Sequence, residues 1–215
     1  NFDVLAMLAF LAGCTERIGL MSSVMVVPHR QPILTAKMLA TIDVMSEGRL
    51  IVGCGAGWMK EEFEALETKP YDERGRVTDE YIEAFKALWT EDAPAYKGRH
   101  VTVDNLMFEP KPHRKPHPPI WIGGESQPAR RRAARLGDAW YPGSINPQFR
   151  LDTPERLAVA WAEVKQMAEK AKRDPAALGL TYVVLTPVEW TAQKGHDTPR
   201  RIFTGTSADI AADVA

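Results

Sequence analysis

Cysteine is scarce in this 215-residue chain, which holds only Cys14 and Cys54. The two cysteines lack CxxC spacing, which argues against a disulfide framework and against a zinc site. We therefore expect a reducing, cytoplasmic compartment and no bound metal.

Long apolar runs and an excess of charge are also missing. No stretch reaches the ~20 apolar residues of a membrane-spanning helix, and residues 1–11 lack the basic region and cleavage site of a signal peptide. Lys and Arg number 27 against 28 Asp and Glu, so no net field attracts nucleic acid or an anionic membrane. A local basic cluster at 130–132 and 135 is interpreted as a solvated helix face. We expect a small-molecule substrate, no nucleic acid and no membrane.

Strand-like and helix-like segments alternate along most of the chain, which predicts an α/β fold with a parallel sheet. The predicted strands are 18–27, 49–53, 119–122, 138–141 and 180–186, and helices such as 32–45, 74–89 and 153–172 separate them. A Pro-rich segment at 94–117 interrupts this order and predicts a hairpin and an extended arm.

The number of strands bears on the fold class. A (β/α)8 TIM barrel typically needs about 250 residues, and this sequence has strands for only part of one. We expect a single partial barrel domain over residues 1–215, apparently truncated at both ends, with the Pro-rich insertion inside it. An open doubly wound sheet would require no truncation and remains open.

Glycines follow two of the predicted strands. Gly53, Gly55 and Gly57 end the strand in GRLIVGCGAGW, and Gly123-Gly124 end the strand in PIWIGGES. Glycine lets a flat ligand approach the backbone closely, so two such strand ends suggest one shared pocket for a phosphorylated, planar cofactor. Close packing of strand and helix is the alternative explanation. A dinucleotide G-x-G-x-x-G motif is weak here, because Trp58 stands where the third glycine belongs.

The segment before Pro128 is a candidate anion site, since free amides at the start of a helix attract phosphate. Ser126 acting only as a helix cap is the competing explanation. His29 follows a strand end and is a weaker candidate. Cys54 is interpreted as a small buried filler, and His113 and His117 as surface residues.

Several segments in order resemble the bacterial luciferase-like oxidoreductase family, with its deazaflavin-dependent (coenzyme F(420)) branch most similar. They are TERIGL, PHRQPILTAKMLATID, SEGRLIVGCGAGWMKEEFEAL, EPKP, PPIWIGG and AARLGDAW. The resemblance covers nearly the whole chain. It implies a luciferase-like (β/α)8 barrel that uses coenzyme F(420) or FMN.

The resemblance also implies cofactor-binding positions. A non-prolyl cis peptide at Ser23-Val24 would support the ring system, and the turn Gly55, Ala56 and Gly57 would lie along the cofactor. The segment Gly123, Gly124, Glu125 and Ser126 would hold the phosphate, although relatives often have glycine where this chain has Glu125. The family's catalytic acid or base commonly comes from its first two strands, which have no counterpart here, so no catalytic residue is named.

The implied function is hydride transfer between the deazaflavin and a small organic substrate. FMN-dependent monooxygenation with molecular oxygen is the alternative, and a non-catalytic cofactor-binding relic is a second. A NAD-dependent Rossmann enzyme is a further candidate. The Pro-rich insertion is expected to shape the substrate site. An exposed sheet edge favours self-association, so a homo-oligomer remains open.

Overall fold

The computed structural model describes residues 2–184, 189–190 and 200–214. The chain divides into two compact units. Unit 1 comprises residues 1–122 and 136–138, and unit 2 comprises residues 123–135 and 139–215. The predicted single domain over 1–215 stays a prediction.

Helices and strands alternate through the described residues. The α-helices are α1 (Val4–Cys14), α2 (Pro32–Met45), α3 (Lys60–Ala65), α4 (Arg74–Thr90), α5 (Gln127–Leu136), α6 (Pro154–Lys170) and α7 (Ser207–Ala212). The strands are β1 (Leu20–Met21), β2 (Met25–Val26), β3 (Leu50–Gly55), β4 (Tyr96–Lys97), β5 (Thr102–Val103), β6 (Ile120–Gly123), β7 (Ala139–Tyr141), β8 (Gly179–Leu180), β9 (Glu189–Trp190) and β10 (Thr204–Gly205). Short 3-10 helices lie at Val27–His29, Tyr71–Glu73 and Pro175–Ala177.

Unit 1 is organised around β3, which is buried along almost its whole length. Strands β1 and β2 pair with one edge of β3 in parallel, and residues 120–122 of β6 pair with the other edge, also in parallel. The apolar sequence of β3 is therefore explained by strands on both of its edges and by helix α2, which packs against it. The carboxyl ends of β2 and β3 lie side by side, since Val26 is opposite Gly55.

The core of unit 1 lies where α2 and α4 pack together. Both helices carry small and large apolar residues at helical spacing, and Leu39, Phe85 and Trp89 are almost fully buried. The indole of Trp89 also donates a hydrogen bond of 3.1 Å to the Ala36 carbonyl oxygen, so its polar atom is satisfied inside the core. The contact joins the two helices directly.

The Pro-rich segment forms the predicted hairpin and arm. Strands β4 and β5 pair antiparallel, and the arm that follows is fastened by polar contacts to the helices beneath it. Lys111 Nζ donates to the carbonyl oxygens of Leu88 and Glu91, at 3.0 and 2.6 Å. The backbone amide of Arg114 donates to the buried Asp43 carboxylate at 2.8 Å. These hydrogen bonds hold in place a segment that lacks the backbone hydrogen bonds of a regular sheet or helix.

Unit 2 contains a second parallel pair, β7 and β8, which Gly143 and Val183 extend by an isolated bridge. Strands β9 and β10 form a further parallel pair. Trp140 on β7 is fully buried and stacks on Trp161 of α6, with the ring centroids 6.4 Å apart. The inner face of α6 is built from small residues, so this helix packs closely.

The sequence predicted these elements with a few differences. Helix 32–45 is confirmed, and the helices predicted at 74–89 and 153–172 differ by one or two residues at their ends. The predicted strand 18–27 is divided into β1 and β2 at residues 22–24, where the Ser22 hydroxyl hydrogen-bonds the amide and the carbonyl oxygen of Gly53. The strand predicted at 180–186 is wrong in its extent, because β8 covers only Gly179–Leu180 and Val183 forms an isolated bridge. Residues 185–186 lie outside the described residues.

Two interpretations of surface residues are wrong. Arg130 and Arg132 are buried, whereas Arg131 and Arg135 are exposed, so the basic cluster is not one solvated face. The side chain of His117 is only 10% exposed, because its ring lies beside Trp89, while His113 is exposed as predicted. No helix among the described residues is long and apolar enough to cross a membrane.

Candidate functional site

The first candidate element is the glycine turn at the end of β3 in unit 1. A Cβ on Gly53 would lie 1.8 Å from the Ser22 carbonyl oxygen, and one on Gly55 would lie 2.7 Å from Val24 Cγ2. Gly57 has a φ of +81°, and a Cβ there would meet Val26 and Phe63 at 2.8 and 2.9 Å. Close packing therefore explains why glycine stands at all three positions.

The segment Ser22–Val24 lies against this turn. The Ser22 hydroxyl donates to the Gly53 carbonyl oxygen at 3.0 Å and accepts from the Gly53 amide at 2.9 Å. The next peptide bond, between Ser23 and Val24, is cis, as the resemblance implied. Ser23 is exposed and Val24 is half-buried, so this edge of the turn can be reached from solvent.

Two residues that the sequence did not single out fix the far end of the same turn. Arg74 Nε donates to the Gly57 carbonyl oxygen at 3.2 Å, and the Tyr71 hydroxyl donates to the Trp58 carbonyl oxygen at 2.9 Å. The Arg74 guanidinium also stacks 3.8 Å from the Tyr71 ring centroid. Carbonyl acceptors are not visible in a residue pattern, so no sequence signal could have identified this pair.

The second candidate element is the turn after β6 in unit 2. Gly124 has a φ of +109°, which side chains rarely adopt. Its carbonyl oxygen accepts a 2.9 Å hydrogen bond from the indole of Trp140, and the Glu125 carbonyl oxygen accepts one of 3.0 Å from Arg130 Nε. The Ser126 hydroxyl accepts from the Ala129 amide at 3.4 Å and so caps α5. The cap alternative for Ser126 therefore has direct structural support.

The Glu125 carboxylate is used within its own unit. One oxygen accepts from the Gly143 amide at 2.7 Å, and the other accepts from the Asn146 side-chain amide at 2.8 Å. Both carboxylate oxygens are thus engaged by the loop after β7. These donors partly offset the negative charge of the Glu125 carboxylate, which would otherwise repel a phosphate.

The Arg130 side chain also stabilises this turn. Its guanidinium forms a 2.6 Å ion pair with Glu163 of α6 and lies 5.6 Å from the centroid of the Trp140 ring. A buried guanidinium needs such partners, since an unpaired buried charge is strongly unfavourable. Arg130 is therefore a structural support for the turn, which the interpretation as a solvated face had missed.

Burial shifts the pKa of one side chain in each unit. Desolvation lowers the pKa of His29 below its usual value near 6.5, with Arg30 acting in the same direction and Glu62 opposing it. In unit 2, desolvation raises the pKa of Tyr182 to about 12, helped by the charges of Asp152 and Glu125. Both side chains are therefore neutral at pH 7.

The structure groups the predicted residues into two sets. Ser23, Val24, Gly55, Ala56 and Gly57 lie together in unit 1, and residues 123–126 lie in unit 2. The binding roles of all nine residues remain predictions. Cys54 is fully buried, as expected for a filler. Among the described residues, no group of three or more His, Cys, Asp or Glu side chains could hold a metal ion.

Comparison with known proteins adds a family-level match. Residues 1–207 match the family described as luciferase-like monooxygenase. The chain is 38% identical over 133 residues to the FMNH(2)-dependent dimethylsulfone monooxygenase of Pseudomonas putida, which covers 61% of this chain and 36% of that protein. The chain thus spans about a third of the length of this relative.

Solved structures of similar fold agree with this match. The monooxygenase RslO1 from Streptomyces bottropensis superposes with a TM-score of 0.71 at 26% identity, over 88% of this chain and 55% of that one. The coenzyme F(420)-dependent tetrahydromethanopterin reductase from Methanopyrus kandleri gives a TM-score of 0.72 at 18% identity, over 90% and 57%. The α/β architecture with its parallel sheet is therefore that of luciferase-like TIM-barrel proteins, and the predicted fold class is confirmed.

Proposed function

This chain belongs to the luciferase-like monooxygenase family, and we propose on that basis that it acts as a flavin-class oxidoreductase on a small organic substrate. The single observation that carries the proposal is the family match over residues 1–207. A bound flavin or deazaflavin would supply the redox chemistry itself. The chain's own residues would bind the cofactor, orient it and exclude water.

The turn of unit 1 fits a flat ring. Its residues are small, and Ser23 and Ala56 remain partly accessible while the backbone around them is packed tightly. Arg74 and Tyr71 hold the carbonyl groups of Gly57 and Trp58, so the turn is preorganised before any ligand binds. We propose that this surface contacts the ring system.

The turn of unit 2 fits a phosphate. Trp140 and Arg130 hold the carbonyl groups of Gly124 and Glu125, which fixes the orientation of the amides that follow at the start of α5. Amides at the start of a helix bind anions well. The Glu125 carboxylate is engaged by Gly143 and Asn146, so only its backbone amide is assigned to the phosphate.

Reduced FMN is the first candidate cofactor. The relative that is 38% identical is FMNH(2)-dependent, whereas the coenzyme F(420)-dependent reductase is only 18% identical and supports the fold alone. This weighs against the preference for the deazaflavin that the family resemblance implied. Oxygen-dependent monooxygenation is therefore the first proposed activity, and hydride transfer with coenzyme F(420) is the second.

A side-by-side titration distinguishes these candidates. The full chain is titrated anaerobically with FMN, reduced FMN and coenzyme F(420), and binding is followed by fluorescence or absorbance. Tighter binding of reduced FMN, followed by oxygen consumption with a panel of small sulfones, is the result we expect. Binding of the deazaflavin alone would establish the second candidate. Binding without turnover on any substrate would support the non-catalytic alternative, and binding of neither cofactor would contradict the proposal.

Riboflavin provides the control for the phosphate turn, because it carries the same ring without the phosphate. Gly124→Ala changes a residue with positive φ in that turn and should weaken FMN binding about tenfold while leaving riboflavin binding unchanged. Gly13→Ala, where no atom would contact the new Cβ, is the matched variant. Equal effects of Gly124→Ala on both ligands would remove the phosphate role from this turn.

A further inference from the structure

A groove in unit 1 is lined by the first part of α2 and by the arm that follows β5, and we call it the arm groove. It has a volume of about 380 Å³, near the lower end of the range for cavities that hold small organic ligands. None of the nine predicted cofactor residues lines it. Its wall consists of Gln31, Ile33, Leu34 and Lys37 on the side of α2, and of Leu106, Met107 and Phe108 in the arm.

Most of the wall of the arm groove is apolar, since five of its seven side chains are hydrocarbon or thioether groups. Leu34 is 59% exposed and Met107 is 88% exposed. Large apolar side chains that lie together in contact with water mark ligand grooves or interfaces, because covering them is favourable. Phe108 is only 4% exposed, so its ring is a fixed part of the wall. The groove therefore favours a ligand with an apolar body.

Among the described residues of this wall, Lys37 alone carries a charge. Its Nζ donates to the Glu109 carbonyl oxygen and lies 5.3 Å from the centroid of the Phe108 ring. An ammonium group has three N–H donors, so one hydrogen bond to the protein leaves two for a ligand. Within the part of the chain that the structure describes, no carboxylate forms an ion pair with Lys37. The groove thus holds a cation that lacks a counter-charge.

Gln31 adds a second donor to the wall. Its side-chain oxygen accepts from the Leu34 amide at 2.6 Å, whereas its NH₂ group has no hydrogen-bond partner among the described residues. The Glu109 carboxylate accepts from the Lys111 amide at 3.1 Å and does not line the groove. The polar side-chain groups that the wall offers are therefore donors, and one of them is a cation. Such a set complements an anion.

The size of the apolar wall distinguishes a small molecule from a protein partner. A standard protein interface takes about 800 Å² from each partner, and the exposed apolar side chains of the groove, chiefly Leu34 and Met107, supply only a small part of that area. One cation beside a short apolar wall matches instead the head and the chain of a single amphiphile.

We propose that the arm groove is a binding site for a small aliphatic carboxylate. Its charged head pairs with Lys37, and its chain packs on Leu34, Met107 and Phe108. The head receives charge-assisted hydrogen bonds from the ammonium group, and the chain covers apolar surface that is otherwise exposed to water. The site goes beyond the proposed oxidoreductase activity and requires no flavin.

The test uses octanoate, octan-1-ol and octylamine, which share one chain length and differ in charge, added to the cofactor-free protein. The chain has eight methionines, whose methyl signals can be followed by proton–carbon NMR, and Met107→Leu assigns the signal of the groove. We expect octanoate to shift the Met107 signal saturably, with a Kd of about 0.1–1 mM. It should bind at least about tenfold more tightly than the alcohol or the amine.

Chain length and matched lysine variants test the two halves of the assignment. Hexanoate should bind about three- to tenfold more weakly than octanoate, because it buries less hydrocarbon. Lys37→Met keeps an unbranched side chain without the charge and should weaken octanoate binding about tenfold, whereas Lys37→Arg should retain the preference for the carboxylate. Lys97→Met is the control, because Lys97 is exposed and does not line the groove.

Several results would overturn the proposal. Equal affinities for octanoate, the alcohol and the amine, or equal effects of Lys37→Met and Lys97→Met, would show that Lys37 does not select a carboxylate. Equal affinities for hexanoate and octanoate would remove the apolar contact. A Met107 signal that moves with protein concentration before any probe is added would assign the groove to a second copy of the chain. No shift at ~20 mM octanoate, well above the expected Kd, would show that the groove does not bind it.

Discussion

Side chains hydrogen-bond both glycine turns, but at Gly53 and Gly55 of unit 1 a side chain is excluded by lack of space, whereas at Gly124 of unit 2 it is disfavoured by a positive φ. Around Gly53 and Gly55, neighbouring atoms occupy the positions that side chains would take. Around Gly124, the nearest atom to a new Cβ is Ala129 Cβ, at 3.1 Å, and the turn is held by Trp140 and Arg130. Two similar strand–glycine patterns thus have different physical causes, and a glycine count alone does not distinguish them.

The largest effect should come from adding one methyl group to each turn. Gly53→Ala places its Cβ 1.8 Å from a backbone oxygen that cannot rotate away, so unfolding free energy should fall by about 3 kcal/mol or more. Gly124→Ala should lower it by about 1–3 kcal/mol, the cost of a strained backbone conformation. Urea denaturation of the purified variants measures both.

Gly13→Ala is the control for these substitutions. Nothing lies within 4 Å of its new Cβ, and the residue is in α1, so this variant should gain about 0.5 kcal/mol from helix propensity. If Gly124→Ala proved as damaging as Gly53→Ala, space would govern both turns and the distinction would disappear.

The next largest loss of stability is expected from two serine substitutions, one beside each turn. Ser22→Ala removes a fully buried hydroxyl that serves both the amide and the carbonyl of Gly53, and should cost about 1–3 kcal/mol. Ser126→Ala removes only a 3.4 Å cap contact to Ala129, and should cost about 0.5–1 kcal/mol. Thermal unfolding followed by circular dichroism would show the order, and a reversed order would contradict it.

The sequence predicted most of this architecture, because apolar runs and helical spacing determine where strands and helices form. The glycine turns were also found, since glycine after a strand is a local signal. The supports of those turns were not found. Side chains that donate to the turn carbonyl oxygens lie 13 residues away for Tyr71, 16 for Trp140 and 17 for Arg74. Contacts over such separations follow from packing and leave no local sequence pattern.

The same limit explains the error at the basic cluster. Four arginines on a short helix resemble a solvated face, yet Arg130 is buried because Glu163 lies 33 residues further along the chain and meets it. A cavity of about 480 Å³ with His29 in its wall was not predicted for a related reason, because its wall combines four segments that are distant in sequence.

Arg130→Lys tests how the turn of unit 2 is held, and its expected effect on stability is smaller than that of Ser22→Ala. Lysine keeps the charge for Glu163 but has no Nε–H to donate to the Glu125 carbonyl oxygen, so stability should fall by about 1 kcal/mol. Arg131→Lys is the matched control, because Arg131 is exposed and its replacement should change stability by less than about 0.5 kcal/mol. Chemical denaturation of both variants is the measurement, and equal stabilities would mean that Trp140 alone secures the turn.

The smallest effect is expected from pH, and it acts on the unit 1 turn through His29. The folded state lowers the pKa of His29 by desolvation, so the unfolded chain, in which the pKa is near 6.5, binds more protons in the window just below that value. Stability should therefore decline as the pH falls through 6.5 toward the lower folded pKa, and then stop changing on account of this group.

His29→Phe keeps a ring against Phe63 and should show a shallower decline between about pH 7.5 and 5.5. The other four histidines and the neighbouring Glu62 and Arg30 are common to both proteins, so the difference between the two slopes isolates His29. Parallel slopes would show that its environment does not oppose protonation, and that the packing of His29 on Phe63 is insensitive to charge.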